Sequence, residues 1–447
     1  MEYIVNTPCG PIKGIKGRVE GTIAYKGIRY ATAGRFEYPV EVTKWDGIYD
    51  ASNYGNCSYQ PRSFYDEEKN LKKIFYYNEF RKNEKYTYSE DCLFLNIWTP
   101  KTVKINDKLP VIIYIHGGGF TGGCGHEKHF DGPKWPLHNV IAVTINYRLG
   151  PLGFLCLDEL NEKDGKTGNY GLYDQLTAIN WIKNNICSFG GDPNNITIMG
   201  QSAGAMSVQQ LCLSPLTRGL FQKAVMSSGG GVSKLLSTPK PDKFYALANK
   251  IKELTKCNTI EELQSVSIED LFNAWTQARK ELKIIGMPAS PVIDGQLIID
   301  NGVNILKRKE HHQIPYMVGA NSEDMIPPII QSMGQKWCYK QDKAYCWMFN
   351  HQLPGDKNGA WHSSDLWYWF GTLDNCWRPV TDVDYEISDK MILSLVNFAK
   401  TGEPCEGWNI TNKKNKKVMH FNTNSSMKKV NKFKLWYNLF TKKAVGE

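Results

Sequence analysis

The chain has 447 residues, 54 of them Lys or Arg against 45 Asp or Glu, for a formal net charge of +9, and 41% of it is hydrophobic. That fraction is ample for a large core, and at roughly 150 residues per domain the length admits up to three domains, although α/β folds often run longer as one. The lysines gather in runs (Lys413, Lys414, Lys416, Lys417, then Lys428, Lys429, Lys432, Lys434) with no aromatic-interleaved module, so a solvated basic surface is expected and no specific nucleic-acid partner.

No apolar run approaches the roughly 20 residues of a bilayer-spanning helix. Residues 1–6 carry no signal-peptide core, so a cytoplasmic location is expected; a leader already removed would leave the same text, with a secreted or periplasmic protein. Twelve cysteines at irregular spacing form no repeated CxxC pair and imply no structural zinc. Thirteen tryptophans read either as core and surface anchors or as the lining of an aromatic cavity.

Short strands separated by Gly and Pro turns open the chain at 12–15 and 22–25. Residues 59–88 are dense in Lys, Glu and Tyr and read as a surface excursion beside the site mouth, or as a charged helix facing solvent. Apolar strands are predicted at 93–98, 111–115 and 141–147. A helix is predicted over 169–186, with Leu172, Leu176, Ile179 and Ile182 on one face. A strand at 196–199, a helix at 205–213 and strands at 224–227 and 315–318 continue the alternation.

This pattern argues for an α/β fold with a largely parallel sheet covered by helices, and for ligand chemistry beyond the carboxyl ends of its strands. Residues 244–285 and 385–399 read as helical. The polar stretch 409–431 is expected to be a mobile loop before 433–440 packs back. No linker or repeat requires a second domain, so a single unit over 1–447 with insertions at 59–88 and 244–285 is expected.

Gly200-Gln201-Ser202-Ala203-Gly204 sits between a predicted strand and a predicted helix. Glycines around a serine permit a tight turn that lifts its hydroxyl out of the backbone. A serine hydroxyl needs a histidine to take its proton and a carboxylate to orient that histidine. His362 follows Ser202 in the chain, and Glu323 and Asp324, just beyond the 315–319 segment, compete for the carboxylate role. His116-Gly117-Gly118-Gly119-Phe120 follows the 111–115 strand; its amides can stabilise an oxyanion, with Gly118, Gly119 and Ala203 as donors. The loop lacks the lysine and hydroxyl ending of a phosphate-binding P-loop.

These motifs, together with Glu90-Asp91-Cys92-Leu93, Asn146-Tyr147-Arg148, Phe189-Gly190-Gly191-Asp192-Pro193 and the segment Gly319 to Asp324, resemble the type B carboxylesterase family of α/β hydrolases, nearest in character to bacterial p-nitrobenzyl esterases. The resemblance implies an α/β-hydrolase fold with N-terminal strand additions and helical insertions around the active site. It implies a serine carboxylic-ester hydrolase acting on small-to-medium alkyl or aryl esters, with Ser202, His362 and Asp324 catalytic and no metal or organic cofactor. Matching the family's Gly-x-x-x-Asp-Glu-Gly to Gly319 puts the acid on Asp324, where relatives usually carry glutamate.

Gln201 stands where the family often has glutamate, which weakens any cholinesterase-specific carry-over. Phe120, Gln201, Trp361 and Trp367 are candidates for a substrate pocket, although packing explains the 367–370 aromatic run equally well. Cys57 and Cys92 resemble a pair that forms a disulfide in secreted relatives; reduced buried thiols are the alternative. Amide, carbamate or lactone cleavage on the same triad, and a non-enzymatic binding protein on the same fold, stay open, as does the oligomeric state.

Overall fold

Side chains along the strand Leu109–Ile115 alternate between two cores: Val111, Ile113 and Ile115 join one apolar cluster, Ile112 and Tyr114 another. A strand's period of two sends successive side chains to opposite faces, so a sheet covered on both sides needs near-continuous apolar strands. Each such Val or Ile, fully buried, contributes about 1.5–3 kcal/mol. The computed structural model describes residues 3–71, 74–233, 237–287, 289–441 and 445.

In spatial order the main sheet runs Tyr3–Thr7, Gly10–Lys16, Thr22–Arg29, Phe94–Pro100, Ile141–Ile145, Leu109–Ile115, Gly191–Gln201, Lys223–Ser227, Tyr316–Asn321, Ala344–Phe349, Lys417–Phe421 and Ser426–Lys429. From Ile141–Ile145 to Lys417–Phe421 every pairing is parallel. The N-terminal strands and the last one add on antiparallel. The chain leaves Leu109–Ile115 on one side, forms Ile141–Ile145, and returns on the other side as Gly191–Gln201. The strand order therefore reverses at Leu109–Ile115, and a crevice opens beyond the carboxyl ends at such a reversal.

Tyr170–Asn185, Ala203–Leu213 and Pro327–Cys338 contribute to the core of one face, and Leu366–Phe370 and Asp382–Thr401 to that of the other. The predicted 244–285 insertion is three helices, Tyr245–Thr255, Ile260–Ser265 and Ile268–Glu281, started at Thr259 by a reciprocal cap with Glu262 and at Ser267 by a bond from the Asp270 amide. Leu247, Ile251, Leu271, Phe272 and Trp275 close a separate apolar cluster there.

At the C-terminal edge one expectation fails, the loop over 409–431, while the helix after it does pack back. The 409–431 stretch contains two paired strands rather than a loop, because its Val418, Met419 and Phe421 are buried against the adjoining sheet. The helix Lys432–Thr441 buries Leu435 and Asn438, while Phe433, Trp436, Tyr437 and Phe440 stay exposed. The 59–88 excursion holds the helix Ile74–Phe80 and is anchored, not loosely solvated. Glu79 is buried, ion-pairs Arg378 at 3.0 Å and accepts the Trp367 indole N–H at 2.8 Å. Residues 72 and 73 of that excursion lie outside the described residues. Among the described residues no helix is long and apolar enough to cross a membrane.

Candidate active site

Ser202 ends the strand Gly191–Gln201 and begins the helix Ala203–Leu213 with φ 56° and ψ −124°. That conformation is sparsely populated for a residue with a Cβ and costs on the order of 1–3 kcal/mol, so the surroundings must enforce it. The flanking glycines explain how: a Cβ on Gly200 would lie 2.3 Å from the Gly204 carbonyl oxygen, and one on Gly204 2.0 Å from that of Ile115. Only at glycine can the chain pass this closely. The Ser202 amide donates to the Ser227 carbonyl at 2.8 Å, tying the elbow to the next strand.

His362 approaches from a loop beyond Ala344–Phe349. Its Nε2 is 2.9 Å from Ser202 Oγ and its Nδ1 is 2.5 Å from Asp324 Oδ1. A carboxylate only accepts, so Nδ1 carries the proton and Nε2 is left to receive the serine's. Burial opposes the charge on Asp324, but the positive charge and hydrogen bond of His362 outweigh it and hold the carboxyl below its ordinary value. Burial likewise pulls the imidazole down, and the charge and hydrogen bond of Asp324 together with the charge of Asp365 carry it above its ordinary value.

Glu323, the competing acid, faces elsewhere. Its carboxylate accepts the Ala360 amide at 2.9 Å and the Asn438 side-chain amide at 2.9 Å, bracing the loop that carries His362. The structure therefore brings Asp324, not Glu323, to the histidine.

Further residues hold this loop that the motif reading left out. Asn321 Nδ2 donates to the Trp361 carbonyl at 2.7 Å and to Asp365 Oδ1 at 3.1 Å. Asp365 is fully buried and accepts the Ser227 hydroxyl at 2.8 Å and the Trp369 indole N–H at 3.1 Å. The sequence signal for Asp365 was its place just after His362; for Asn321 there was none beyond its strand end.

The glycine loop lies against the nucleophile: a Cβ on Gly117 would stand 2.9 Å from Ser202 Cβ. Gly118 and Gly119 have φ of 104° and 63°, and their amides, like that of Ala203, have no acceptor among the described residues. These amides are available to an oxygen beside Ser202. The Tyr147 hydroxyl fixes the loop's start by donating to the His116 carbonyl at 2.8 Å.

Three of the pocket candidates turn out to be packing. Phe120 is fully buried against the Phe154 ring, 4.9 Å between centroids. Trp361 packs under Phe75 and Phe80, and Trp367 lies against Phe80 with its indole on Glu79. Large flat side chains here fill the space between helices rather than line a cavity. Gln201 is the exception, with Nε2 3.2 Å from His362 Nε2. Nor are Cys57 and Cys92 bridged; both are free and buried, because Cys57 turns toward His126, Sγ to Nε2 3.5 Å.

A serine raised on a strand–helix elbow at the reversal point of a largely parallel sheet, with histidine and acid arriving from later loops, is the architecture of the α/β hydrolases. The chain belongs to the carboxylesterase family, whose model matches residues 1–336 and 325–436. The para-nitrobenzyl esterase of Bacillus subtilis (strain 168) is 30% identical, with 90% of each chain covered. Liver carboxylesterase 1 of Oryctolagus cuniculus is 33% identical over 72% of this chain and 58% of its own length.

A solved PNB esterase superposes with a TM-score of 0.84 at 26% identity, covering 98% of this chain and 100% of that one. A carboxylesterase of Geobacillus stearothermophilus gives 0.78 at 26% identity, with 98% and 99% covered. The chain is a serine-type ester hydrolase.

Gln201 then becomes testable. Its amide meets the same imidazole nitrogen that receives the serine proton, where a carboxylate would favour the imidazolium. Gln201→Glu is expected to move the acid limb of kcat/KM up by about one pH unit. An unmoved limb in a pH profile on p-nitrophenyl acetate would rule out a working contact between residue 201 and the imidazole.

Proposed function

We propose that this protein hydrolyses small-to-medium alkyl and aryl esters of carboxylic acids through an acyl-enzyme on Ser202. The observation that carries the reading is the continuous relay from Ser202 Oγ to His362 Nε2 at 2.9 Å and from Nδ1 to Asp324 at 2.5 Å. Ser202 Oγ attacks the ester carbonyl as His362 Nε2 takes its proton, and Asp324 keeps the imidazole oriented and stabilises its charge. The carbonyl oxygen, now negative, is met by the amides of Gly118, Gly119 and Ala203.

The tetrahedral centre collapses by breaking the bond to the alkoxide, which leaves with the proton from His362. Water then attacks the acyl carbon as His362 accepts its proton; Ser202 departs and is reprotonated. Each step uses only side chains and amides of this chain and water.

The test is covalent. The folded protein is expected to turn over p-nitrophenyl acetate and butyrate, and a fluorophosphonate probe is expected to abolish turnover while adding its mass to the peptide containing Ser202. Turnover that survives full labelling, or a label on another residue, would overturn the assignment of the nucleophile. A folded protein inert to both esters would overturn the substrate class.

A further inference from the structure

Cys57, Cys124 and His126 bring two thiols and an imidazole together beyond the oxyanion glycines. Their ligand atoms all lie within 4.8 Å of one another, and all three residues are buried. Cys57 comes from the short strand Cys57–Ser58, which pairs with Tyr88–Ser89; Cys124 and His126 come from the turn that follows Gly118 and Gly119.

A tetrahedral ion with metal–sulfur bonds of about 2.3 Å and metal–nitrogen bonds of about 2.0 Å holds sulfur and nitrogen roughly 3.5 Å apart. Cys57 Sγ and His126 Nε2 are 3.5 Å apart.

The surroundings are those of a polar centre rather than of two idle core thiols. The Arg62 side chain is only 8% exposed and gives Nη1 to Glu127 at 2.6 Å, yet its Nε and Nη2 have no hydrogen-bond partner among the described residues, nor does the buried hydroxyl of Tyr86. The His126 ring contacts both Tyr86 and Tyr54, at 5.7 and 4.6 Å between centroids. Guanidinium N–H groups and a phenol suit sulfur ligands and a bound water, because both donate to negative or lone-pair atoms.

We propose that Cys57, Cys124 and His126 form a site for one thiophilic divalent cation of the zinc type, with the fourth position open to water. Binding displaces the two thiol protons, so two thiolates balance the dication and the neighbouring Arg62–Glu127 pair keeps its own balance. The ion is structural, since the ester chemistry at Ser202 needs no metal. It joins the 57–58 strand to the base of the oxyanion loop, where Gln60 already accepts the Gly123 amide at 2.9 Å.

Cobalt and zinc are the probes. Reduced full-length protein is expected to retain one Zn²⁺ per chain through desalting, measured by elemental analysis, and to show a sulfur-to-cobalt charge-transfer band with Co²⁺. Zinc is expected to raise the melting temperature. Cys57→Ser and Cys124→Ser are each expected to lose the band, and Cys92→Ser to keep it. Reduced wild-type protein that is folded yet holds no zinc at saturating concentration would overturn the site, whatever the variants do. So would a band unchanged in folded Cys57→Ser and Cys124→Ser. Peptide mapping that finds a Cys57–Cys124 disulfide in isolated protein that takes up no metal after reduction would assign the pair to redox chemistry instead.

Discussion

Ser202→Ala is expected to lower kcat on p-nitrophenyl acetate by about 10⁴- to 10⁶-fold while leaving the fold intact. The substitution removes one oxygen and keeps the Cβ, so the elbow's backbone at φ 56° is no more strained in the variant than in the parent. What disappears is the covalent route. Gly118, Gly119 and Ala203 would still offer their amides to an oxyanion, so a residual rate above that of water alone is expected. A factor of 10⁶ corresponds to about 8 kcal/mol of lost transition-state stabilisation, far beyond what an altered hydrogen bond supplies. The measurement is kcat beside a thermal melt of each protein. Full activity in the folded variant would mean that the nucleophile is another group, and the relay through His362 would lose its chemical meaning.

The elbow was legible because part of its requirement is local: a Cβ on Gly200 would meet Gly204 a few residues along, whereas the clash at Gly204 comes from Ile115 at the end of a neighbouring strand. His362 and Asp324 were legible only as an ordered set, since their contact with Ser202 is made by the sheet, which spans residues far apart in the chain. The choice between Glu323 and Asp324 came from a family register. Physically it depends on Asn438 and the Ala360 amide claiming Glu323, and a helix at the far end of the chain is not visible from the motif.

The strand Ala344–Phe349 was missed: it is buried throughout like the strands that are predicted, but its run AYCWMF holds no Val, Ile or Thr and so lacks their β-branched signal. The 409–431 stretch was misread for a different reason. Its two strands keep Lys417, Lys428 and Lys429 in solvent, and the composition alone resembles a loop. Trp361 and Trp367 looked like pocket residues from their place beside the histidine, yet burial against Phe80 and the Glu79 carboxylate decides their role. The Cys57, Cys124 and His126 cluster had no sequence signature, because metal spacing rules read short intervals and this set joins two distant loops.

Asp324→Asn is expected to cost about 10⁴ in kcat, less than the loss of the serine at its upper limit and by a different route. In the parent the carboxylate accepts from Nδ1–H at 2.5 Å, which leaves Nε2 bare for the serine proton. An asparagine that turns its NH₂ group toward Nδ1 stabilises the other tautomer, with the proton on Nε2 pointing at Ser202, where it cannot accept. The pH dependence gives a second readout. His362 works as a base only when neutral, so kcat/KM falls as pH drops through its pKa.

That pKa lies above the ordinary value of 6.5: burial lowers it, but the charge and hydrogen bond of Asp324 and the more distant charge of Asp365 raise it further. Removing the Asp324 charge leaves burial opposed only by Asp365, so the acid limb of the variant is expected to move to lower pH even as the plateau falls. A merely structural role for Asp324 would lower the plateau and leave the limb where it was. An acid limb that shifts while the melting temperature holds assigns Asp324 to the imidazole; a limb that stays in place in a folded variant would remove it from the triad.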